Sequence, residues 1–322
     1  MQKELVLNYL EENRGAYVSG GDIAKALGVS RNAVWKVIKA LESEGYKLQK
    51  STKLGYKLLE ENDELTVSGI NRYLKVDLSK IEIFDELEST NSYLMQKGSL
   101  GEECGCLAIA KEQTGGRGRK GRSFFSPSGG VYFSLLIRPD KEFKGGPYLT
   151  CMAAVSVMEA IKEVYQIDCG IKWVNDIYIG DKKCAGILTE ASIDFESGSI
   201  SHAVVGVGIN ILEPEGGYPK EIKKIACAIN ESIPDGKNRL VATIVNKLYE
   251  NIEWFNMDKS NVMDRYKAGS ILIGKKVIVK RESGDKTARC INITEEGYLV
   301  VEYADGVQEE LFFGEVSLCI KK

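Results

Sequence analysis

A single histidine, His202, stands among 322 residues, and the eight cysteines form no Cys-x-x-Cys pair. The ligand spacing of a zinc site is therefore missing. No long apolar run exists: the longest uncharged apolar stretch, 145–158, falls short of the about 20 residues that a membrane helix needs. The first residues bring Lys3 and Glu4 into an amphipathic pattern rather than an apolar signal core. Net charge is only −3, which argues against a surface that binds polyanions everywhere. No internal repeat is visible. The cysteines at 104, 106, 151, 169, 184, 227, 290 and 319 are scattered, several in apolar runs. They read as small core residues of a cytoplasmic protein kept in a reducing compartment.

What is present is uneven. A hydrophobic content of 43% supports real cores, and the length fits two or three domains. In Gly115-Gly116-Arg117-Gly118-Arg119-Lys120-Gly121-Arg122, four glycines are interleaved with four cations. Glycine lets a backbone approach a ligand closely or adopt φ > 0. The nearest acidic residues along the chain are Glu112 and Asp140, so the cations have no local partner. Such a loop reads as a solvated segment, as an RGG-like nucleic-acid segment, or as a loop that receives a polyanion. The isolation of the motif between strand-like stretches favours the last.

Residues 1–60 carry ten Lys/Arg against seven Asp/Glu, and 31–57 carry seven against two. Leu5, Val6, Tyr9 and Leu10 form one helical stripe. A short helix over 22–27 stops at Gly28, and Ser30 caps a third helix whose Val34, Ile38 and Leu41 fall on one buried face. Arg31, Asn32, Trp35 and Lys36 then lie on other faces, where a recognition helix meets DNA. Residues 46–50 and 56–59 pair as a hairpin whose tip carries Lys53. The order predicts a winged helix-turn-helix over 1–64, with the helix-turn-helix at about 20–39. A small helical domain with a solvated basic face is the competing reading. The acidic stretch 60–64 reads as a linker.

From 65 to 270 strand-like and helix-like segments alternate. Strands are expected at 81–84, 131–137, 171–173, 177–179, 185–188 and 202–211, and helices near 93 and at 149–164 and 240–255. From 271 to 322 short strands at 276–280, 288–293, 298–303 and 307–312, punctuated by Gly284, Gly297 and Gly306, predict a small β-barrel.

Five motifs run in order through the middle: Ser89-Thr90-Asn91, Gly116-Arg117-Gly118-Arg119-x-Gly121-Arg122, Lys172-Trp173-x-Asn175-Asp176, Lys183-x-Ala185-Gly186-Ile187-Leu188 and Gly206-x-Gly208-Ile209-Asn210. With the flanking domains, they make the chain resemble, over essentially its full length, the bifunctional biotin protein ligases that are also biotin operon repressors. The resemblance implies an α+β multidomain fold. Its parts would be a winged helix-turn-helix, a central mixed α/β ligase domain related to class II synthetases, and a C-terminal SH3-like barrel. It implies that biotin and ATP, with Mg²⁺, give biotinyl-5′-AMP, and that biotin passes to one lysine of a biotin carboxyl carrier protein such as an acetyl-CoA carboxylase subunit. It also implies operator DNA as a partner and a homodimer when the adenylate is bound.

By position, Ser89, Thr90, Asn91 and Gln113 match the biotin-ureido pocket. Arg117, Gly118 and Arg119 match the loop that closes over the biotin tail and adenylate. Lys183 matches the lysine near the carboxyl and α-phosphate; a solvated lysine beside Lys182 is the plainer reading. Lys183, Arg119 and Asp176 would be the catalytic set. Asn175 and Asp176 would orient a metal ion or the acceptor lysine, though Asp176 can equally cap a turn. Two residues depart from the family pattern: Val174 where proline is common, and Phe124 where some members carry tryptophan. A lipoate ligase, or a DNA regulator that senses biotin without catalysis, are the readings set against this one.

Overall fold

The computed structural model describes residues 2–60, 62–138, 147–194, 199–281, 284–312 and 315–318. The chain divides into two compact units, Met1–Lys75 with Ser232–Thr243, and Val76–Glu231 with Ile244–Lys322.

In the first unit, helices α1 (Gln2–Glu12), α2 (Gly20–Leu27) and α3 (Arg31–Ser43) precede strands β1 (Leu48–Ser51) and β2 (Gly55–Leu58) and helix α4 (Val67–Asn71). Local chemistry sets the boundaries. The Ser19 side chain accepts from the Asp22 amide at the start of α2, and Gly28, at φ 65°, ends it. Ser30 does the same for α3 by accepting from the Ala33 amide. Val6, Leu10, Ile23, Val34, Ile38, Leu41 and Leu58 close a common core. The β1–β2 hairpin pairs from Leu48 with Leu58 to Ser51 with Gly55. Its second strand also exchanges two 2.8 Å bonds between Val18 and Tyr56. A Cβ on Gly55 would stand 2.2 Å from the Val18 carbonyl oxygen, so only glycine allows that approach. The stretch expected as a linker is held: Asn62 is buried, accepts from the Lys47 amide at 2.7 Å and donates to the Lys47 carbonyl at 2.9 Å.

The second unit is built on a seven-stranded sheet. Its elements are β3 (Lys80–Leu87), α5 (Thr90–Ser99), β4 (Cys106–Gln113), β5 (Val131–Ile137), α6 (Tyr148–Tyr165), β6 (Gly170–Lys172), β7 (Asp176–Ile179), β8 (Lys182–Ile193), β9 (Ile200–Ile209), α7 (Gly236–Met257) and α8 (Lys259–Ala268). The first residues of α7 belong to the first unit. The sheet order is β3-β4-β5-β9-β8-β7-β6, and only β3–β4 is parallel. β5 is buried along its whole length, as a central strand covered on both faces must be. α5 packs across β4, β5, β8 and β9, and α6 across β6 to β9.

A separate antiparallel sheet follows: β10 (Lys276–Lys280), β11 (Lys286–Ile293), β12 (Leu299–Tyr303), β13 (Gln308–Leu311) and β14 (Glu315–Leu318), in the order β13-β12-β11-β10-β14. Four of these strands match the expected segments within a few residues. β4, β14, α4, α8 and the full length of β8 are additions that the sequence pattern did not announce.

Candidate functional site

The register of the large sheet assembles one face. Cross-strand pairing places Asp176, Gly186, Gly208 and Tyr132 in one row, and Leu188, Gly206 and Ser134 in the next. Partners in a row share a face. Lys183 needs a further device, because alternation would put residues 183 and 186 on opposite faces. Pairing runs Ile177 with Ala185 and then Tyr178 with Lys183, so β8 carries one extra residue, Cys184, as a bulge. The parity shifts, and the Lys183 side chain comes over Gly186: a Cβ there would lie 2.9 Å from Lys183 Nζ. Lys183 Nζ pairs with Asp176 Oδ1 at 2.6 Å and stands 5.3 Å from the centre of the Phe124 ring.

The glycines of β8 and β9 are seats for other groups. A Cβ on Gly208 would meet the Phe124 ring at 2.5 Å, and one on Gly206 would meet Asn91 Oδ1 at 1.8 Å. Asn91 fills that space and donates from Nδ2 to the Leu188 carbonyl at 3.1 Å and to Glu190 Oε2 at 3.0 Å. The buried hydroxyl of Ser134 lies 2.6 Å from Asn91 Oδ1 and 2.8 Å from Thr90 Oγ1. The Thr90 amide and hydroxyl both donate to Gln113 Oε1, at 2.9 and 3.2 Å. Gln113 Nε2 in turn donates to Ser126 Oγ at 3.0 Å. Ser89 caps α5, which therefore starts at Thr90 rather than near Tyr93.

The basic loop lies along this face with a backbone ladder of its own. Gly118 N donates to the Arg122 carbonyl at 2.7 Å and Phe124 N to the Gly116 carbonyl at 2.8 Å. Its glycines do different things. Gly116 is required by contact, since a Cβ would stand 2.4 Å from the Phe124 carbonyl oxygen. Gly121 has φ 70°, but the preceding left-handed residue is Lys120 at φ 56°. Of the two uses of glycine that the sequence offered, positive φ is taken among these four by Gly121 alone. The cations lack acidic neighbours in sequence, yet Arg117 Nη1 reaches Glu190 Oε1 on β8 at 3.3 Å.

The Lys172–Asp176 turn is pinned on three sides. Trp173 Nε1 donates to the Gly297 carbonyl at 2.9 Å, the Tyr266 hydroxyl donates to the Val174 carbonyl at 2.9 Å, and Asn175 Nδ2 donates to the Ile187 carbonyl at 2.7 Å. The Trp173–Val174 peptide is cis. Lys172 Nζ donates to the Tyr178 hydroxyl at 3.1 Å. Burial, reinforced by Asp176, pushes that phenol up to about 12, so it stays neutral. Burial also pushes the Cys184 thiol well up and that of Cys151 up to about 12, which removes them as nucleophiles. The seven described cysteines are free; Cys319 lies outside the described residues.

Ser89, Thr90, Asn91, Gln113, Arg117, Gly118, Arg119, Asn175, Asp176 and Lys183 all line one cleft. Six cations border it, Arg117, Arg119, Lys120, Arg122, Lys172 and Lys183, against one carboxylate, Asp176. Such a cleft attracts a polyphosphate or a carboxylate from solution. Among the described residues, no group of three or more His, Cys, Asp or Glu is placed to hold a metal ion. Asp176 and the side-chain oxygen of Asn175 are donors of the kind that suits a Mg²⁺ arriving on a nucleotide with most of its shell already filled. Sequence reasoning passed over Ser126, Ser134 and Glu190 and gave Gly206 and Gly208 no task. Ser134 carried a signal, as the one polar residue of an otherwise apolar strand.

Arg31, Asn32, Trp35 and Lys36 stand exposed on α3, and Lys53 at the hairpin tip. They share the first unit and take no part in the cleft. Among the described residues no helix is long and apolar enough to cross a membrane.

Residues 83–210 match the biotin/lipoate A/B protein ligase family, 2–57 an HTH domain, and 272–319 the biotin protein ligase C terminal domain. The bifunctional ligase/repressor BirA of Bacillus subtilis is 30% identical over 326 residues, covering 99% of this chain and 98% of that one. Its Escherichia coli counterpart is 29% identical, covering 94% of each. Among solved structures, the biotin protein ligase from Aquifex aeolicus in complex with biotin and ATP aligns with a TM-score of 0.64 at 29% identity, over 76% of this chain and all of that one.

Proposed function

The chain belongs to the family of bifunctional biotin protein ligase/repressors, and from that premise we propose that it joins biotin to a carrier-protein lysine and represses transcription through its N-terminal domain. A carboxylate oxygen of biotin attacks the α-phosphorus of ATP, the bond to the β-phosphate bridging oxygen breaks, and pyrophosphate leaves. The acceptor lysine amine, having lost its proton, then attacks the acyl carbon of biotinyl-5′-AMP, and AMP departs. Neither step needs a protein nucleophile. The obstacle is electrostatic, because a carboxylate must approach a polyphosphate while charge grows on the transferring oxygens.

Lys183 faces that charge at the biotin carboxyl and α-phosphate. Its pairing with Asp176 fixes the ammonium in place beforehand, which is where preorganised catalysis gains most. Ser89, Thr90, Asn91 and Gln113 bind the ureido ring. Arg117, Gly118 and Arg119 close over the intermediate and exclude water. Mg²⁺ enters with ATP as part of the substrate and neutralises phosphate charge; Asn175 and Asp176 are the residues that would hold it. The observation that carries this reading is the convergence of all ten residues on one cation-lined cleft.

The assignment gives DNA binding to 1–64, ligation to 65–270 and a supporting role to 271–322. It reads the central sheet as class II synthetase-like and the C-terminal sheet as an SH3-like barrel. The partners are a biotin carboxyl carrier protein, operator DNA and a second copy of the chain when the adenylate is bound, all in the cytoplasm. One assay tests the chemistry: the chain is incubated with ATP, Mg²⁺, a carrier domain and labelled biotin or labelled lipoate. Label from biotin on the carrier lysine is expected. Transfer of lipoate instead, or DNA binding with no transfer, overturns the reading.

A further inference from the structure

We propose that Glu190 is a positioning residue that holds the arginine-glycine loop over the cleft by joining Arg117 to Asn91. The proposal rests on the ligase reading for its consequence, retention of the adenylate, but not for its geometry. Glu190 lies on β8 at even spacing from Gly186 and Leu188, so it faces the cleft side. Its two oxygens are divided: Oε2 accepts from Asn91 Nδ2 at 3.0 Å, and Oε1 pairs with Arg117 Nη1 at 3.3 Å. Asn91 is in turn immobilised, since Gly206 alone makes room for its amide.

Beyond Asn91 a continuous polar chain runs through Ser134, Thr90, Gln113 and Ser126 to the Phe124 carbonyl, where Ser126 Oγ donates at 2.9 Å. Arg117 stands near the start of the basic loop and Phe124 just past its end. The chain therefore begins at one end of the loop, passes through the residues assigned to the ureido pocket, and returns to the other end. A partly exposed ion pair adds little to global stability. Set on a short loop, it biases the population that is closed, and a small bias is enough to change how fast a bound intermediate escapes. Only a carboxylate suits both partners at once, because an amide in its place retains the Asn91 bond and loses the charge that Arg117 needs.

The test uses the full chain with Glu190→Gln, Arg117→Gln and the double variant. Two rates are read: release of biotinyl-5′-AMP from the loaded protein, and cleavage of the loop by trypsin in the ligand-free protein. Each single variant is expected to speed both rates by about fivefold, and the double variant by no more than either alone, as coupled partners do. Salt is expected to speed trypsin cleavage of the wild-type loop more than that of the Glu190→Gln loop, each compared with a salt-matched reference substrate. Unchanged rates in Glu190→Gln, or effects that multiply in the double variant, overturn the proposal. Should the chain make no adenylate while trypsin cleavage still follows Glu190, the ligase reading falls and the latch stands.

Discussion

Gly206 leaves no room for a methyl group, because a Cβ there would sit 1.8 Å from Asn91 Oδ1. The alternative to a clash is expulsion of Asn91, with loss of its bonds to Leu188, Glu190 and Ser134. Gly206→Ala is therefore expected to raise the KM for biotin by at least about tenfold while kcat changes by less than about threefold, the pattern of a lost binding contact. Steady-state kinetics with biotin as the varied substrate checks it; an unchanged KM means that Asn91 is not part of the ureido pocket. Residue-level chemistry of this kind was half legible in the sequence. Ser89, Thr90, Asn91 and Gln113 stood out through positions that match the family's pattern. Ser134 and Glu190 did not, because a serine in an apolar strand or a glutamate within a long strand has many uses until its neighbours are known.

At the scale of elements, α3 shows local sequence and tertiary packing in agreement. Ser30 caps it, Val34, Ile38 and Leu41 are buried, and the remaining face presents Arg31, Asn32, Trp35 and Lys36 to solvent. Trp35 is 51% exposed, far more than a core tryptophan allows. If Lys36 meets a phosphate, Lys36→Ala should weaken operator binding about equally for specific and nonspecific DNA and lower the slope of log K against log salt by about one. A titration over a salt series measures that slope, and an unaltered slope removes Lys36 from the phosphate contacts. Strand β8 teaches the opposite lesson. Its motif was visible, but the bulge at Cys184 that turns Lys183 onto the cleft face was not. Period-2 reasoning assigns the two residues to opposite faces, and only the pairing with β7 shows the shift.

For the whole molecule, the proposed function would give the adenylate two destinations, the carrier lysine and a repressing dimer. Closure of the Arg117–Arg122 loop offers a link, since a ligand that favours one loop state must shift any dimerisation that depends on that state by the same free energy. Sedimentation with and without biotinyl-5′-AMP is expected to show an adenylate-tightened monomer–dimer constant, and an unchanged constant sinks the link. The sequence by itself determined the order of domains, the capped helices of the N-terminal unit and the motifs that name the family. Those are local properties, fixed by caps, periodicity and residue type within a few positions. Tertiary structure alone decided that Arg117 meets Glu190, that Lys183 shares a face with Gly186, and that the glycines of β8 and β9 make room for Phe124 and Asn91. Each depends on strand pairing, within the β7–β8 hairpin for Lys183 and between segments far apart in the chain for the others, and register follows from how the sheet packs rather than from any one stretch of it.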